Sequence, residues 1–66
     1  MITFEKLFDV MKQKGKSTYT CRRDAVIGET TLQRMRHNES VSTETINKLC
    51  NYLDCSPMDI MTYTKE

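Results

Sequence analysis

Four apolar residues near the start of the chain stand at i, i+3, i+4 and i+7: Phe4, Leu7, Phe8 and Met11. This spacing places their side chains on one face of a predicted first helix. Thr3 precedes the run as the predicted N-cap, and Gly15 follows it as the residue at which we expect the helix to stop. The chain therefore opens with an amphipathic helix.

The clearest amphipathic pattern belongs to a predicted fourth helix, which begins after the cap residue Ser42. Its apolar face consists of Ile46, Leu49, Cys50 and Leu53. A fifth short helix is predicted at 56–59, where a serine cap, a proline at the first helical position and a carboxylate three residues after the cap give a start signal. No alternation of apolar and polar residues is long enough for a paired sheet, and Met61–Tyr63 is too short to build one. The pattern predicts an all-α fold of five short helices.

Two further helices, joined by a tight connection, are predicted between these elements. Ser17 caps the second helix, which runs through Asp24, and the third runs from about Gly28–Glu29 to His37. The positions that would pack these helices against each other and against helices one and four are Cys21, Ala25, Ile27, Leu32 and Met35. This order of elements is a helix-turn-helix pattern.

Positive charge is concentrated in the same region. Residues 12–37 include seven basic and two acidic side chains, a net charge of +5, whereas residues 1–11 contribute −1 and residues 38–66 contribute −3. The overall charge of +1 hides this asymmetry. A concentrated basic face is typical of a nucleic-acid binder, because each phosphate that it neutralises releases condensed counterions.

The length of 66 residues limits the possible functions. A pocket of ~300 Å³ or more would hollow out most of so small a core, which argues against an enzyme. The chain has one histidine and three cysteines without paired ligand spacing, so no metal site or catalytic set can be assembled. It also lacks the ~18 continuous apolar residues of a membrane span. We therefore expect a cytoplasmic protein with no cofactor, no small-molecule ligand and no contact with a membrane.

The polar side of the third helix carries side chains that suit base recognition. Arg34 can bridge guanine O6 and N7, Gln33 can pair with adenine N6 and N7, and Thr30 can donate, accept or touch a thymine methyl. The major groove of duplex DNA is ~12 Å wide and admits one helix. We expect the third helix to enter it.

Several stretches of the chain match one known family in order and in spacing. They are Lys14-Gly15-Lys16-Ser17, Ile27-Gly28-Glu29-Thr30-Thr31-Leu32-Gln33-Arg34-Met35, Asn38-Glu39, Val41-Ser42-Thr43-Glu44-Thr45-Ile46, Leu49-Cys50 and Leu53-Asp54-Cys55. Over nearly all of residues 4–62 the chain resembles the phage repressor and Cro-type (Xre-like) helix-turn-helix domains. The resemblance implies a compact, lambda-repressor-like domain of five helices over residues 1–66, with the helix-turn-helix at about 18–37, that binds duplex DNA and regulates transcription.

The resemblance also implies which residues touch DNA. The implied base contacts come from the third helix and its end: Glu29, Thr30, Gln33, Arg34 and His37. The implied phosphate contacts come from the start of the second helix and the loop after the third: Thr18, Asn38 and Ser40. Charge and location alone add four more candidates for the DNA backbone: Lys16, Arg22, Arg23 and Arg36.

Three departures from the family's pattern lie around the turn, one of which is Gly28, where a serine or threonine usually caps helix three. Val26 stands where family members usually have glycine, and a β-branched residue is costly at positive φ, so either the turn is remodelled or helix two ends differently. Glu29 either accepts a hydrogen bond from cytosine N4 or only complements the helix dipole and weakens non-specific binding. Arg22 and Arg23 in turn either contact phosphates or form weak surface ion pairs with Asp24 or Glu29.

The expected function is that of a sequence-specific DNA-binding regulator of transcription, and a repressor in particular. Surplus apolar residues near the C-terminus suggest a homodimer surface formed by Met58, Ile60, Met61 and Tyr63. The alternative is a protein-interaction module on the same fold, such as an anti-repressor or an antitoxin-like protein, with weak or lost DNA binding. Val26 and Glu29 favour that alternative, because both depart from the DNA-binding pattern.

Overall fold

Four of the predicted helices are present in the computed structural model, which describes residues 1–65. They are α1 (Glu5–Gln13), α2 (Thr18–Arg23), α3 (Glu29–Arg36) and α4 (Thr43–Leu53). Two short strands, β1 (Ile2–Thr3) and β2 (Thr62–Tyr63), join the two ends of the described chain. The predicted caps of α2 and α4 are confirmed, since the backbone N–H of Thr20 donates to Ser17 Oγ and that of Thr45 donates to Ser42 Oγ.

The predicted fifth short helix is not confirmed as an α-helix. Ser56 and Pro57 do begin a helical turn, but it is a three-residue 3₁₀ turn at Pro57–Asp59. The backbone N–H of Ser56 donates to Asp59 Oδ2 at 2.9 Å, so the predicted capping signal is present. The turn does not continue as a helix because Ile60 is fully buried and the chain then extends into β2. Ile60 is therefore a core residue, and its assignment to a homodimer surface is wrong.

The prediction that no sheet forms is wrong. β1 and β2 pair antiparallel, with Ile2 opposite Tyr63 and Thr3 opposite Thr62. Thr3 consequently belongs to a strand, and the N-cap of α1 is Phe4 without a side-chain cap. Strands of two residues are too short to show a period of two in the sequence, so the local pattern held no sign of this pairing.

The core draws side chains from all four helices and from both connections to the sheet. Its buried residues are Phe4, Leu7, Met11, Cys21, Ile27, Leu32, Met35, Leu49, Leu53 and Ile60. Ile46 and Cys50, predicted for the apolar face of α4, are half-buried and pack against this core. Ala25, predicted to face inward, is exposed.

The exposure of Ala25 follows from the way α2 ends. The Val26 N–H donates to the Cys21 carbonyl at 2.9 Å and the Ala25 N–H to the Arg22 carbonyl at 3.1 Å, which is a Schellman motif. Ala25 takes the left-handed position at φ 56°, so Val26 avoids the positive φ that a β-branched residue resists. Of the two expected outcomes for the turn, helix two ends early, at Arg23.

We predict that Ala25→Gly stabilises the domain. An alanine in the left-handed region costs ~1–2 kcal/mol, and the extra backbone entropy of glycine offsets only roughly 0.5–1 kcal/mol of that. The free energy of unfolding in urea should therefore rise by about 0.5–1 kcal/mol. The matched control is Gly15→Ala, at φ 71° and with open space around the added methyl group, which should lower the same free energy. A lower free energy of unfolding for Ala25→Gly would show that Ala25 is not strained.

Candidate nucleic-acid interface

The third helix turns one side inward and the opposite side to solvent. Leu32 and Met35 are 2% and 1% exposed, and residues three or four positions apart on a helix share a face. The five residues on the other side, which we call the outer face of α3, are all exposed: Glu29, Thr30, Gln33, Arg34 and His37. These are the five residues that the sequence predicts as base contacts, and the fold brings them to one surface.

The start of α3 lies next to α2 through an ion pair. Arg22 Nη1 lies 3.1 Å from Glu29 Oε1, and both side chains are exposed. Glu29 also occupies the first turn of α3, where the helix dipole favours a carboxylate. Glu29 thus holds Arg22 across the helix-turn-helix connection, which is one of the two pairings that the sequence left open for that arginine.

The second arginine of α2 forms the other pairing, and it does so within a larger cluster. Arg23 Nε lies 3.2 Å from Asp24 Oδ1, and the Tyr52 hydroxyl of α4 donates to Asp24 Oδ2 at 2.6 Å. The Lys16 ammonium lies 4.9 Å from the centroid of the Tyr52 ring. We call these four residues the Asp24–Tyr52 cluster. It connects the loop before α2, the end of α2 and the C-terminal end of α4.

Both hydrogen-bond partners at the centre of this cluster have shifted pKa values. The hydrogen bond from the Tyr52 hydroxyl, and then the one from Arg23, lower the pKa of Asp24. The same bond to the carboxylate raises the pKa of Tyr52, because it stabilises the protonated phenol. Asp24 is therefore ionised and Tyr52 is neutral at physiological pH.

Arg34, the predicted guanine contact, connects α3 to the loop that follows it. Its Nε and Nη2 atoms donate to the Ser40 carbonyl at 3.1 and 2.8 Å. The side chain remains exposed, and this bonding leaves the Nη1 side of the guanidinium for an external acceptor. Ser40 is itself an exposed loop residue, so Arg34 fixes one of the predicted phosphate contacts relative to the outer face of α3.

Asn38 has a structural role that the sequence did not indicate. It takes the left-handed position after α3 at φ 57°, and its Oδ1 accepts the backbone N–H of Phe4 at 2.9 Å. The side chain is half-buried. Its amide oxygen therefore secures the start of α1, and its amide nitrogen is the group that could donate to a phosphate.

The remaining predicted backbone contacts lie on different sides of α3. Thr18 is the first residue of α2, half-buried, and Lys16 stands just before that helix. The Arg36 guanidinium lies 5.9 Å from the centroid of the Phe8 ring, which places it at the flank of α3 toward α1. The Arg36 side chain thus points toward α1 and away from the outer face of α3.

Sequence reasoning missed Tyr52 and Lys48 near this surface, and it named Asp24 only as an ion-pair partner of the arginines in α2. Asp24 and Tyr52 meet across 28 positions of chain, a contact that no local pattern announces. Lys48 of α4 lines a shallow concavity together with Arg22 and Glu29, beside the connection between α2 and α3. The sequence shows the charge of Lys48. It gave no reason to place this residue near α2, because α4 was predicted from its apolar face alone.

Other kinds of site find no support in the described part of the chain. Within residues 1–65, no three His, Cys, Asp or Glu side chains come together in a way that could hold a metal ion. The three cysteines are free thiols. None of the helices in residues 1–65 combines the length and the apolar character that crossing a membrane requires.

An exposed polar helix, held by a short preceding helix whose cationic side chains stand beside it, defines a helix-turn-helix DNA-binding domain. The family model of the Cro/C1-type HTH DNA-binding domain matches residues 6–66, and the chain belongs to this family. The resemblance seen in the sequence is thereby confirmed. No curated protein and no solved structure matches the chain.

Proposed function

We propose that this protein is a sequence-specific regulator of transcription that reads the major groove of duplex DNA with the outer face of α3. The observation that carries the proposal is the shared exposure of Glu29, Thr30, Gln33, Arg34 and His37 opposite the buried Leu32 and Met35. A single helix fits the ~12 Å major groove. The residues on this face include the side chains that pair with guanine and adenine edges.

Phosphate contacts would hold the helix in register from both of its ends. Thr18, Lys16, Arg22 and Arg23 stand at α2, and Ser40 and the amide nitrogen of Asn38 stand in the loop after α3. Such contacts fix the position of a protein on DNA without reading its sequence. Arg36 is retained as a weaker candidate, because it is directed toward Phe8.

We further propose that the protein is cytoplasmic and that it regulates by repression. A compact domain that occupies its site can exclude the transcription machinery by occupancy alone, whereas activation requires an additional contact surface. The alternative of a protein-interaction module with little DNA binding remains the competing hypothesis. Its support from Val26 is weaker in the structure, because Ala25 rather than Val26 takes the left-handed turn position.

Binding to random duplex DNA at two salt concentrations separates the two functions. About four phosphate contacts would lower the affinity roughly 100-fold between 50 and 200 mM salt. We expect a loss of this size in fluorescence-anisotropy titrations. Absence of binding at both salt concentrations would favour the interaction module instead.

The role of Arg34 is tested by its removal. On the preferred site, Arg34→Ala should cost roughly 1–3 kcal/mol of binding free energy and relax the sequence preference, whereas Arg23→Ala should weaken all sequences about equally. Arg34→Lys is the matched control, since it keeps the charge but loses the planar fork that bridges guanine. Unchanged affinity and preference in Arg34→Ala, with the fold intact by circular dichroism, would remove this residue from the groove.

We also propose a homodimer that uses exposed apolar side chains near the C-terminus. Met58 and Tyr63 are 81% and 71% exposed, and Met61 is half-buried. Tyr63 and Met61 line an open concavity with Ile2, Val41 and Ile46, beside the two-stranded sheet. Polar residues complete its lining, among them Asn38, Glu39, Ser40 and Thr43, so a self-complementary interface would use the apolar part of the concavity. A dimer would bind inverted half-sites about one helical turn (~34 Å) apart.

Replacement of Tyr63 tests this surface. We expect a dimer in sedimentation equilibrium for the unmodified protein and a shift toward monomer for Tyr63→Ser, because the exposed ring is lost from the apolar concavity. Tyr19→Ser is the control, since Tyr19 is 62% exposed but lies on α2. An equal shift toward monomer in Tyr63→Ser and Tyr19→Ser would contradict the proposed interface. Binding of a single protein molecule to the preferred DNA site would contradict it as well.

A further inference from the structure

Both arginines of α2 are bonded to carboxylates of the same chain. Arg22 lies 3.1 Å from Glu29, and Arg23 donates to Asp24 through Nε at 3.2 Å and through Nη2 at 3.5 Å. All four residues are exposed, and the two arginines lie on α2, where the proposed function places phosphate contacts. Each guanidinium is therefore bonded to a carboxylate of the protein at the place where it would bind a DNA phosphate.

Asp24 is the more firmly held of the two carboxylates. The Tyr52 hydroxyl binds its Oδ2 at 2.6 Å while Arg23 binds Oδ1. The Lys16 ammonium stands over the Tyr52 ring, so a second cation lies close to the same carboxylate. Tyr52 thus acts as a positioning residue, because it fixes the anion from the side of α4.

Neither helix stability nor ion-pair energy explains the presence of this acid. Asp24 is the C-cap of α2, and the negative end of the helix dipole disfavours a carboxylate there. Ion pairs between exposed side chains contribute little to the stability of a fold. Asp24 nevertheless lies beside Arg23 and Lys16, two cations of the proposed DNA-binding surface.

We propose that Asp24 and Glu29 act as internal substitutes for phosphate, occupying Arg23 and Arg22 in the free protein and thereby limiting the affinity for duplex DNA of any sequence. Each arginine must break its bond to the carboxylate before it can bind a phosphate, so separation of the ion pair lowers the net affinity for DNA. The inference rests on the proposed DNA-binding function. It assigns to Asp24, Glu29 and Tyr52 a role in setting the strength of the sequence-independent contacts.

Neutral isosteres test the proposal on random duplex DNA. Asp24→Asn and Glu29→Gln should each raise the affinity roughly two- to fivefold. The matched control is Asp9→Asn, which makes the same change in net charge on α1, beside Lys6 and Lys14 and away from α2 and α3. Equal gains in Asp24→Asn and Asp9→Asn would overturn the proposal, since a general charge effect would then suffice.

A second set of variants tests whether the effect passes through Arg23. In an Arg23→Ala background, Asp24→Asn should give no more gain than Asp9→Asn does; an undiminished gain would overturn the pairing. Tyr52→Phe keeps the ring beneath Lys16 but loses the hydroxyl, so its gain should be smaller than that of Asp24→Asn and absent in the Asp24→Asn background. An additive gain in the double variant would overturn the positioning role of Tyr52.

The hydrogen bond itself has a readout that is independent of DNA. Because the bond to Asp24 raises the pKa of Tyr52, Asp24→Asn should lower that pKa in an ultraviolet titration, with Tyr52→Phe used to subtract the other tyrosines. An unchanged pKa would overturn the geometry. If the unmodified protein binds no DNA at either salt concentration, both the proposed function and this inference fail. If the protein binds DNA and the variants match their control, this inference alone fails.

Discussion

The packing of Leu32 and Met35 into the core decides how α3 stands on the domain. These two side chains are almost completely buried among residues from α1, α2 and α4, and their removal from water is the main stabilising contribution that the short α3 can make. Helical periodicity then leaves Thr30, Gln33 and Arg34 no direction but outward. The outer face is therefore a consequence of core packing, and its polar residues can vary without loss of the fold.

The connection between α2 and α3 fixes the position of α2 relative to α3. α2 has only six residues, too few to form alone, so it depends on Cys21 in the core and on the bonds at its two ends. The Schellman motif at its C-terminus requires a left-handed residue, and Ala25 takes that position at some cost. The orientation of Arg22 and Arg23 relative to the outer face depends on this strained turn.

Charge on this surface is balanced by the chain itself rather than left open. Arg22 and Arg23 are paired with Glu29 and Asp24, and Tyr52 holds Asp24 in place from α4. A count of basic residues along the sequence therefore overstates the positive charge that is available to a phosphate. By our proposal, these pairs adjust the affinity for DNA through contacts that carry no sequence information.

The sequence by itself determined the four α-helices, the caps Ser17 and Ser42, most of the buried core and the outer face of α3, because helical periodicity and capping are local properties. Only the tertiary structure decided the pairing of Ile2–Thr3 with Thr62–Tyr63, since two-residue strands carry no period. It also decided the bond between Tyr52 and Asp24, whose partners lie 28 positions apart. Ile60 looked like a surface residue of a short terminal helix, and it is buried because the chain end folds back onto α1 and α4. Contacts between distant segments depend on how the helices pack, and no stretch of sequence contains that information alone.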